Sequence, residues 1–363
     1  MRLRQFLTCV LAVLVATTAL DSQTTTARQS QIQTRLDERI ASGNGVGLVA
    51  ASLEPDGTVL IAAAGKPGTD ALPLDGDSVF EIGSITKVFT ALLLADMVER
   101  GEVTLDTPVQ RLMPSEVKVP RRNGREITLV DLATHTSGLP RLPNNMAPAN
   151  PLDPYADYGA ERLYAFLNAY ELARDIGATF EYSNLGAGLL GHTLERRAGK
   201  PYKTMVEERI LRPLGMTHTS FTPDAWMKAH LVTGHNATGR PVPGWEVGVL
   251  SGAGGLRSTA NDMMKFARAA LAAPAGPLGR VLARTYEKRH DAGRPNMSIG
   301  LGWIIRRAAD RDVLWHNGGT GGYRSWFGLD MRAKRAVVVL ANSQHGPDDL
   351  GNALLLEAAV TTR

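Results

Sequence analysis

The sequence predicts an α/β (α+β) protein, in which an antiparallel sheet is flanked by N- and C-terminal helices and carries a mostly helical inserted domain. Two strand-like runs at 46–53 and 58–64 are joined by the turn signal EPDG at 54–57. Strand-like runs return only near the C-terminus, at 301–306, 313–316, 323–329 and 336–341. Strands at both ends of the chain therefore predict one sheet that is built from both termini.

The N-terminus has a basic start followed by a largely apolar run from residue 5 to residue 20. The run is too short for a secure membrane span and is typical of a secretory signal peptide, which we place at about 1–27. Cleavage after Ala19 or Ala27 is expected, and a periplasmic or secreted location follows. An uncleaved anchor is the alternative, and only then do we expect contact with a membrane. The single cysteine, Cys9, lies inside this run, so the mature chain has no thiol.

Composition excludes several classes of protein. With 363 residues, 44% hydrophobic and 21% charged, the chain resembles an average soluble globular protein of about two domains. The net charge of +4 does not come from a basic cluster with interleaved aromatic residues, so we expect no nucleic-acid partner. Because there is no run of metal-ligand spacing, we expect neither a metal nor a cofactor.

The helices are predicted from apolar spacing and end signals. Apolar residues at 32, 36 and 40 share one face of an N-terminal helix, and the apolar run after residue 84 predicts a helix that stops at Gly101. Residues 101–253 form the predicted helical domain, with at most one strand and with helices at 128–134, 160–173, 185–198 and 202–211.

The C-terminal part completes the sheet domain, which we assign to residues 28–100 and 254–363. A capped helix at 258–271 comes first, followed by a loop through Pro274, Pro277 and Pro295. The four C-terminal strands come next, and the run at 350–360 closes the chain as a helix.

The main candidate for chemistry is Ser84, which lies three residues before Lys87 at the start of a helix. Residues three apart share one helix face, so the amine should lie beside the hydroxyl. A serine becomes a good nucleophile when an adjacent base takes its proton, and a helix N-terminus favours the developing charge. A helix cap beside a surface lysine is the commoner outcome of this spacing, so the motif needs support from elsewhere in the chain.

A second pair, Tyr182 and Asn184, lies in a short extended segment just before a helix. Because the two residues are two apart, the phenol and the amide can face the same cleft. The alternative is an ordinary helix cap formed by Ser183 or Asn184.

A glycine-rich stretch at 315–323 ends one strand and enters another. So much glycine would let a ligand lie against the backbone, with a free N–H as an oxyanion donor. A flexible hairpin is the alternative, and a lone histidine such as His316 is more often a surface or core side chain. A phosphate-binding loop is disfavoured because no helix follows. His135 and Ser137, at a helix end, are assigned to positioning the loop that borders the site.

These stretches together resemble the serine β-lactamase and penicillin-binding protein superfamily, and in particular its class C-like branch. Three boxes occur in the family's order: Ser84-x-x-Lys87, Tyr182-Ser183-Asn184 and His316-Asn317-Gly318. Connecting segments at 135–140, 213–216 and 254–262 extend the likeness over nearly all of residues 35–345. The resemblance implies a β-lactamase/transpeptidase-like fold and an acyl-enzyme mechanism.

The resemblance also implies a role for each of these residues. Ser84 attacks a carbonyl, Lys87 and Tyr182 share the work of the base, and Asn184 orients the substrate amide. The third box, with Gly318 and Gly319, binds substrate, and the N–H groups of Ser84 and Gly319 form an oxyanion hole. A tyrosine base needs its pKa of about 10 lowered, which a Lys87 cation could supply, and a neutral Lys87 is equally consistent.

One departure from the family's pattern bears on substrate choice. Many relatives have a lysine where His316 stands, and a histidine with a pKa of about 6.5 is mostly neutral at pH 7. Asn317 likewise replaces the usual threonine or serine. Histidine in this place occurs in some D-alanyl-D-alanine peptidases and esterases of this branch. Arg306 or Arg324 is a candidate to hold a substrate carboxylate instead.

The expected function is therefore that of an exported serine hydrolase, most of all a D-alanyl-D-alanine carboxypeptidase or D-amino-acid peptidase on peptidoglycan peptides. A short-chain esterase and a weak class C-type β-lactamase are the alternatives within the enzymes. A non-catalytic penicillin- or peptidoglycan-binding domain is the alternative from another class. The expected partners are small molecules or peptides, namely peptidoglycan peptides, β-lactams or esters.

Overall fold

An eight-stranded antiparallel sheet forms the centre of the protein in the computed structural model, which describes residues 25–68 and 71–357. The strands are β1 (Gly47–Leu53), β2 (Val59–Gly65), β3 (Phe80–Glu81), β4 (Arg121–Arg122), β5 (Arg125–Glu126), β6 (Arg257–Ser258), β7 (His290–Asp291), β8 (Met297–Ile299), β9 (Ile304–Ala308), β10 (Arg311–Gly319), β11 (Arg324–Asp330) and β12 (Arg335–Ala341). The large sheet has the order β2-β1-β12-β11-β10-β9-β8-β7, while β3 pairs with β6 and β4 with β5.

The two ends of the chain meet at the first strand. Leu48 of β1 lies opposite Ala64 of β2 on one side and Ala341 of β12 on the other. All seven residues of β1 are buried, as expected for an inner strand that is covered on both faces. The predicted fold class, one antiparallel sheet built from both termini, is therefore confirmed.

Helices cover both faces of this sheet. The α-helices of the described residues, including those of the 101–253 region, are α1 (25–41), α2 (Thr86–Glu99), α3 (Leu129–Ala133), α4 (Ala160–Ala169), α5 (Asn184–Ala198), α6 (Tyr202–Val206), α7 (Ala225–Ala229), α8 (Ala260–Leu271), α9 (Gly276–Thr285) and α10 (Asp348–Leu356). On one face, Ile32 and Leu36 of α1 share a buried cluster with Leu354 of α10. On the other face, Phe89 of α2 packs against Phe266 of α8 with ring centroids 4.8 Å apart. The terminal helices thus flank the sheet.

Three local predictions are wrong. The loop predicted around Pro277 contains α9, because proline is tolerated in the first turn of a helix. The helix predicted at 160–173 ends at Ala169, after which Tyr170 is extended. Residues 101–253 contain two strands rather than at most one, although β4 and β5 have only two residues each and are too short for an alternating pattern.

Two predictions fall partly outside the described residues. The predicted signal peptide at 1–27 overlaps them only at residues 25–27, which are helical, and residues 358–360 of the last predicted helix lie beyond them. Among the residues that are described, no helix has the length and apolar character needed to cross a membrane.

Candidate active site

Ser84 lies in a single 3₁₀ turn, Gly83–Ile85, that leads directly into α2. This helix is buried on all sides over its first three turns, so the core of the protein fixes the turn in place. Lys87, in the first turn of α2, directs its amine back to the serine, with Nζ 2.9 Å from Ser84 Oγ. The structure thus brings the predicted nucleophile and base into hydrogen-bond contact.

The Lys87 amine has three close partners and almost no exposure to solvent. Besides Ser84, its Nζ lies 2.9 Å from Asn184 Oδ1 and 2.6 Å from the carbonyl oxygen of Ala253, and the residue is 2% exposed. Burial, with a smaller contribution from the charge of Arg141, holds the pKa of Lys87 well below its usual range. The site therefore favours a neutral amine.

A neutral amine fits these three contacts atom by atom. It has two N–H donors and one lone pair, whereas a carbonyl oxygen can only accept a hydrogen bond. The oxygens of Asn184 and Ala253 therefore take the two N–H bonds, and the lone pair is left for the hydroxyl proton of Ser84. This is the arrangement that proton transfer from the serine to the lysine requires.

Tyr182 packs against Ser84 and Lys87, with its ring centroid 4.9 Å from Lys87 Nζ. Burial raises the pKa of the phenol, and a hydrogen bond with Ser84 offsets only part of this effect. The interpretation in which a Lys87 cation lowers the Tyr182 pKa is not supported, because burial disfavours both charges. Of the two interpretations left open by the sequence, a neutral Lys87 beside a protonated Tyr182 fits these pKa directions.

Asn184 is the first residue of α5, and both predicted readings of its segment apply. Ser183 is the N-cap of the helix, with Oγ accepting the N–H of Gly186 at 2.8 Å. The side chain of Asn184 does not cap the helix. Its Oδ1 accepts from Lys87 Nζ, and its Nδ2 donates to the hydroxyl of Tyr155 at 3.2 Å. The amide thus holds the Lys87 amine in place.

Close backbone packing explains the glycines around the nucleophile. A Cβ on Gly83, which has φ +50°, would lie 2.5 Å from the backbone nitrogen of Gly319. A Cβ on Gly318 would lie 2.0 Å from the carbonyl oxygen of Ile82. These contacts seat the end of β10 against the Ser84 turn, and the backbone of Ser84 therefore lies near that of Gly319. The resemblance assigns their N–H groups to the oxyanion hole.

His316 and Asn317 lie on β10 but differ in exposure. His316 is 1% exposed, its Nδ1 is 2.6 Å from the carbonyl oxygen of Asn317, and burial lowers its pKa to about 3. The imidazole is therefore neutral and lies behind the cavity wall. Asn317 does line the cavity, and its Nδ2 donates to Asp348 Oδ1 at 2.6 Å.

His135 fixes Tyr182 from behind, which sequence reasoning anticipated only as loop positioning. Its carbonyl oxygen accepts the N–H of Glu181 at 2.8 Å, and its Nδ1 accepts the N–H of Ser183 at 3.1 Å. Its ring packs on the Tyr182 ring with centroids 4.7 Å apart. Burial holds the pKa of His135 well below its usual range. His135 thus binds the backbone on both sides of the tyrosine, through its carbonyl oxygen before Tyr182 and through its neutral imidazole after it.

A cavity of about 570 Å³ opens over Ser84 and is lined by Tyr182, Asn184 and the end of β10. Among the wall residues that sequence reasoning missed are Arg141, Tyr155 and Trp245, and the ring centroids of Tyr155 and Trp245 lie 5.3 Å apart. The only sequence signal for Arg141 is its position directly after the HTSGLP segment. Of the two arginines proposed to hold a carboxylate, Arg324 lines the cavity, whereas Arg306 donates to Asn352 at 2.9 Å and does not line it.

A buried ion pair connects this wall to the nucleophile. Glu81, three residues before Ser84, accepts from Arg257 Nη2 at 3.1 Å and from the backbone N–H of Trp245 at 2.9 Å. Both charged side chains are less than one-tenth exposed. Because burial raises the pKa of Glu81 and the Arg257 charge lowers it, the arginine is what keeps this carboxylate charged.

Within the described ranges, no group of three or more His, Cys, Asp or Glu side chains could hold a metal ion.

Comparison with known proteins gives the same assignment. The sequence matches the family model described as Beta-lactamase over residues 32–361. It is 30% identical over 277 residues to the D-alanyl-D-alanine-carboxypeptidase/endopeptidase AmpH of Escherichia coli (strain K12), covering 73% of this chain and 70% of that protein. It is also 28% identical over 318 residues to the esterase EstB of Burkholderia gladioli, covering 75% and 79% respectively.

Solved structures agree with this family. The crystal structure of a beta-lactamase/D-alanine carboxypeptidase from Yersinia pestis has a TM-score of 0.78 at 27% identity, covering 90% of this chain and 97% of that one. The family model spans most of the chain, including all three boxes. The protein therefore belongs to the beta-lactamase family and is one of its serine hydrolases.

Proposed function

We propose that this protein is an exported D-alanyl-D-alanine carboxypeptidase, or a related D-amino-acid peptidase, that acts on peptidoglycan peptides through an acyl-enzyme on Ser84. The observation that carries the proposal is the contact between Lys87 Nζ and Ser84 Oγ at 2.9 Å, with the other two amine contacts going to carbonyl oxygens. A relative named as a carboxypeptidase/endopeptidase supports the choice of substrate. The basic, then apolar, N-terminus supports export.

The contacts support a specific course for the reaction. Ser84 Oγ attacks the carbonyl carbon of the penultimate D-alanine while its proton passes to Lys87 Nζ. The amide C–N bond then breaks, and the nitrogen leaves with a proton supplied through Lys87 and Tyr182, so that free D-alanine departs. Water attacks the resulting ester with the same base accepting its proton, which releases the shortened peptide and restores the serine.

The fixed polar groups around Ser84 would lower the barrier of this reaction. The N–H groups of Ser84 and Gly319 would stabilise the oxyanion of each tetrahedral intermediate, since preorganised donors of this kind need no reorganisation during the reaction. A neutral Lys87 gains a proton as the intermediate forms, and the oxyanion nearby then stabilises the new ammonium charge. Asn184 keeps the amine in line with the serine in both states.

Acylation by a fluorescent penicillin is the first test. Intact mass and peptide mapping should place one adduct on Ser84 and none in Ser84→Ala. Ser115→Ala, at an exposed serine whose hydroxyl donates to Glu116 and which does not line the cavity, is the matched control and should label like the wild type. Equal labelling of Ser84→Ala would contradict the mechanism.

Turnover then separates the candidate activities. One preparation is assayed on an N-acylated D-Ala-D-Ala peptide, a p-nitrophenyl ester of a short acid, and nitrocefin. We expect the highest kcat/KM on the peptide. A highest value on the ester would favour the esterase, which the relative EstB also suggests, and a highest value on nitrocefin would favour the β-lactamase. A stable label with no turnover of any substrate would indicate a binding domain.

A further inference from the structure

Arg141 is a cation in the wall of the active-site cavity whose guanidinium has no carboxylate partner among the described residues. Its carbonyl oxygen accepts the N–H groups of Asn184 at 3.0 Å and Leu185 at 3.2 Å, which fixes its backbone to the start of α5. The side chain extends over Tyr182, with the guanidinium carbon 5.0 Å from the ring centroid. Across residues 25–68 and 71–357, no hydrogen bond or ion pair engages this guanidinium.

The other arginine of the cavity is differently placed. Arg324 Nη1 donates to the carbonyl oxygens of Thr320 at 2.7 Å and Tyr323 at 2.8 Å, and the charge of Asp348 acts on it. Its guanidinium is therefore partly committed to holding the turn between β10 and β11. The described residues that line the cavity include no aspartate or glutamate. Arg141 thus faces a cavity in which no fixed carboxylate competes for it.

The position of Arg141 follows the path of the leaving group. In the proposed reaction the leaving nitrogen receives its proton on the side of Lys87 and Tyr182, so the departing amino acid lies against Tyr182. The carbon bonded to that nitrogen carries the terminal carboxylate of the substrate. A planar guanidinium held over the Tyr182 ring is therefore within reach of that carboxylate, and two parallel N–H bonds can bind it.

We propose that Arg141 binds the terminal carboxylate of the leaving D-amino acid and so selects peptides with a free C-terminus. The inference rests on the proposed function, and it gives that site the cation that the neutral His316 does not supply. Arg141 is then a specificity-determining residue: it contacts the substrate but takes no part in proton transfer.

The test compares an N-acylated D-Ala-D-Ala peptide with the same peptide as its C-terminal amide, which has no charge at that position. For the wild type we expect kcat/KM to be about 10-fold or more higher for the acid. Arg141→Gln should lower the value for the acid about 10- to 100-fold, so that the preference for the acid disappears. Arg141→Lys should restore part of the preference, since an ammonium keeps the charge but not the paired bonds.

Two other arginines provide controls. Arg306→Gln removes a cation outside the cavity and should keep the wild-type ratio. Arg324→Gln removes the competing cation of the cavity and should also keep the preference for the acid. A loss of that preference in Arg324→Gln together with its retention in Arg141→Gln would overturn the proposal. So would an equal decrease for acid and amide in Arg141→Gln, which would mean that Arg141 acts only on the position of Tyr182.

Failure of this inference can be told apart from failure of the proposed function. If penicillin labels Ser84 and both peptides are cleaved equally by the wild type, the proposed function stands and the role of Arg141 is wrong. If neither labelling nor cleavage occurs in a folded wild-type protein, both proposals are wrong.

Discussion

Replacing His135 by asparagine tests whether the tyrosine of the site is held from behind. His135 has φ +58°, a left-handed conformation that asparagine adopts more readily than most residues, so the backbone itself is little penalised. The shorter side chain loses the ring contact with Tyr182 and the acceptor for the N–H of Ser183. The hydrogen bond from Glu181 to the carbonyl oxygen of residue 135 remains, since it involves only the backbone.

The size of the effect follows from what is lost. A buried N–H left without an acceptor costs about 1–3 kcal/mol, and an aromatic pair contributes about 0.5–1.5 kcal/mol. We therefore expect His135→Asn to lower the free energy of unfolding by about 2–4 kcal/mol. Since a displacement of about 1 Å at a reacting group can lower a rate about 100-fold, we expect a loss of that order in kcat/KM.

Urea unfolding and the rate of acylation by penicillin measure these two effects separately. His192→Asn is the matched control, because His192 is also largely buried and bonds a tyrosine hydroxyl, that of Tyr164 at 2.8 Å, but does not line the cavity. It should destabilise the protein and leave acylation of the folded fraction unchanged. Loss of stability in His135→Asn with a wild-type acylation rate would refute the role given to His135.

Three further predictions concern the base, the pH dependence of stability and the glycines. Because the pKa of Lys87 is well below its usual range, the rate of acylation should be retained at neutral pH and decrease when acidification protonates the amine. Stopped-flow measurements on Tyr182→Phe should show the same decrease at low pH. If the decrease were absent in this variant, the tyrosine would be the base. The folded-state pKa of His316 is depressed to about 3, so its contribution to the free energy of unfolding is complete above about pH 6.5 and is lost as the pH falls toward about 3, by about 1.4 kcal/mol per pH unit. In urea titrations at several pH values, His316→Gln should show a weaker dependence of this free energy on pH. An equal dependence would refute the depressed pKa. Gly318→Ala should lower the free energy of unfolding by about 1–3 kcal/mol, because its Cβ meets the backbone oxygen of Ile82. Gly319→Ala should lower it less, because there the Cβ meets the flexible side chain of Arg324 at 3.0 Å. Similar urea midpoints for the two variants would contradict this packing.

The sequence predicts well those features that depend on neighbours along the chain. Ser84 and Lys87 share a helix face because they are three residues apart, and Tyr182 and Asn184 face one cleft because they are two apart. The sheet of β1, β2 and β12 is also predictable, since alternation and a turn signal are local patterns. For these features the spacing in the sequence determines which side chains lie on the same face of a helix or strand.

Features that depend on contacts across the fold are not predictable in this way. Trp245 reaches the cavity because its backbone is held by Glu81, a residue far away in the sequence, and neither residue has a local signal for this contact. The pKa directions of Lys87 and Tyr182 depend on how deeply each is buried, which no spacing reports. For this reason the sequence left the identity of the base open.

The distribution of charge in the site separates catalysis from selection. Lys87 and His316 are buried and Tyr182 is half-buried, and for each of them burial is the largest cause of a pKa shift toward the neutral form. Since a buried cation at His316 would further disfavour protonation of Lys87, a lysine in its place would make the base weaker. The cation of the exposed Arg141 lies in the cavity wall, where it lowers the pKa of Lys87 less than burial does and where a bound carboxylate would contact it. In the proposed mechanism the neutral third box therefore leaves Lys87 able to act as the base, and the proposed selection of charged substrates falls to Arg141.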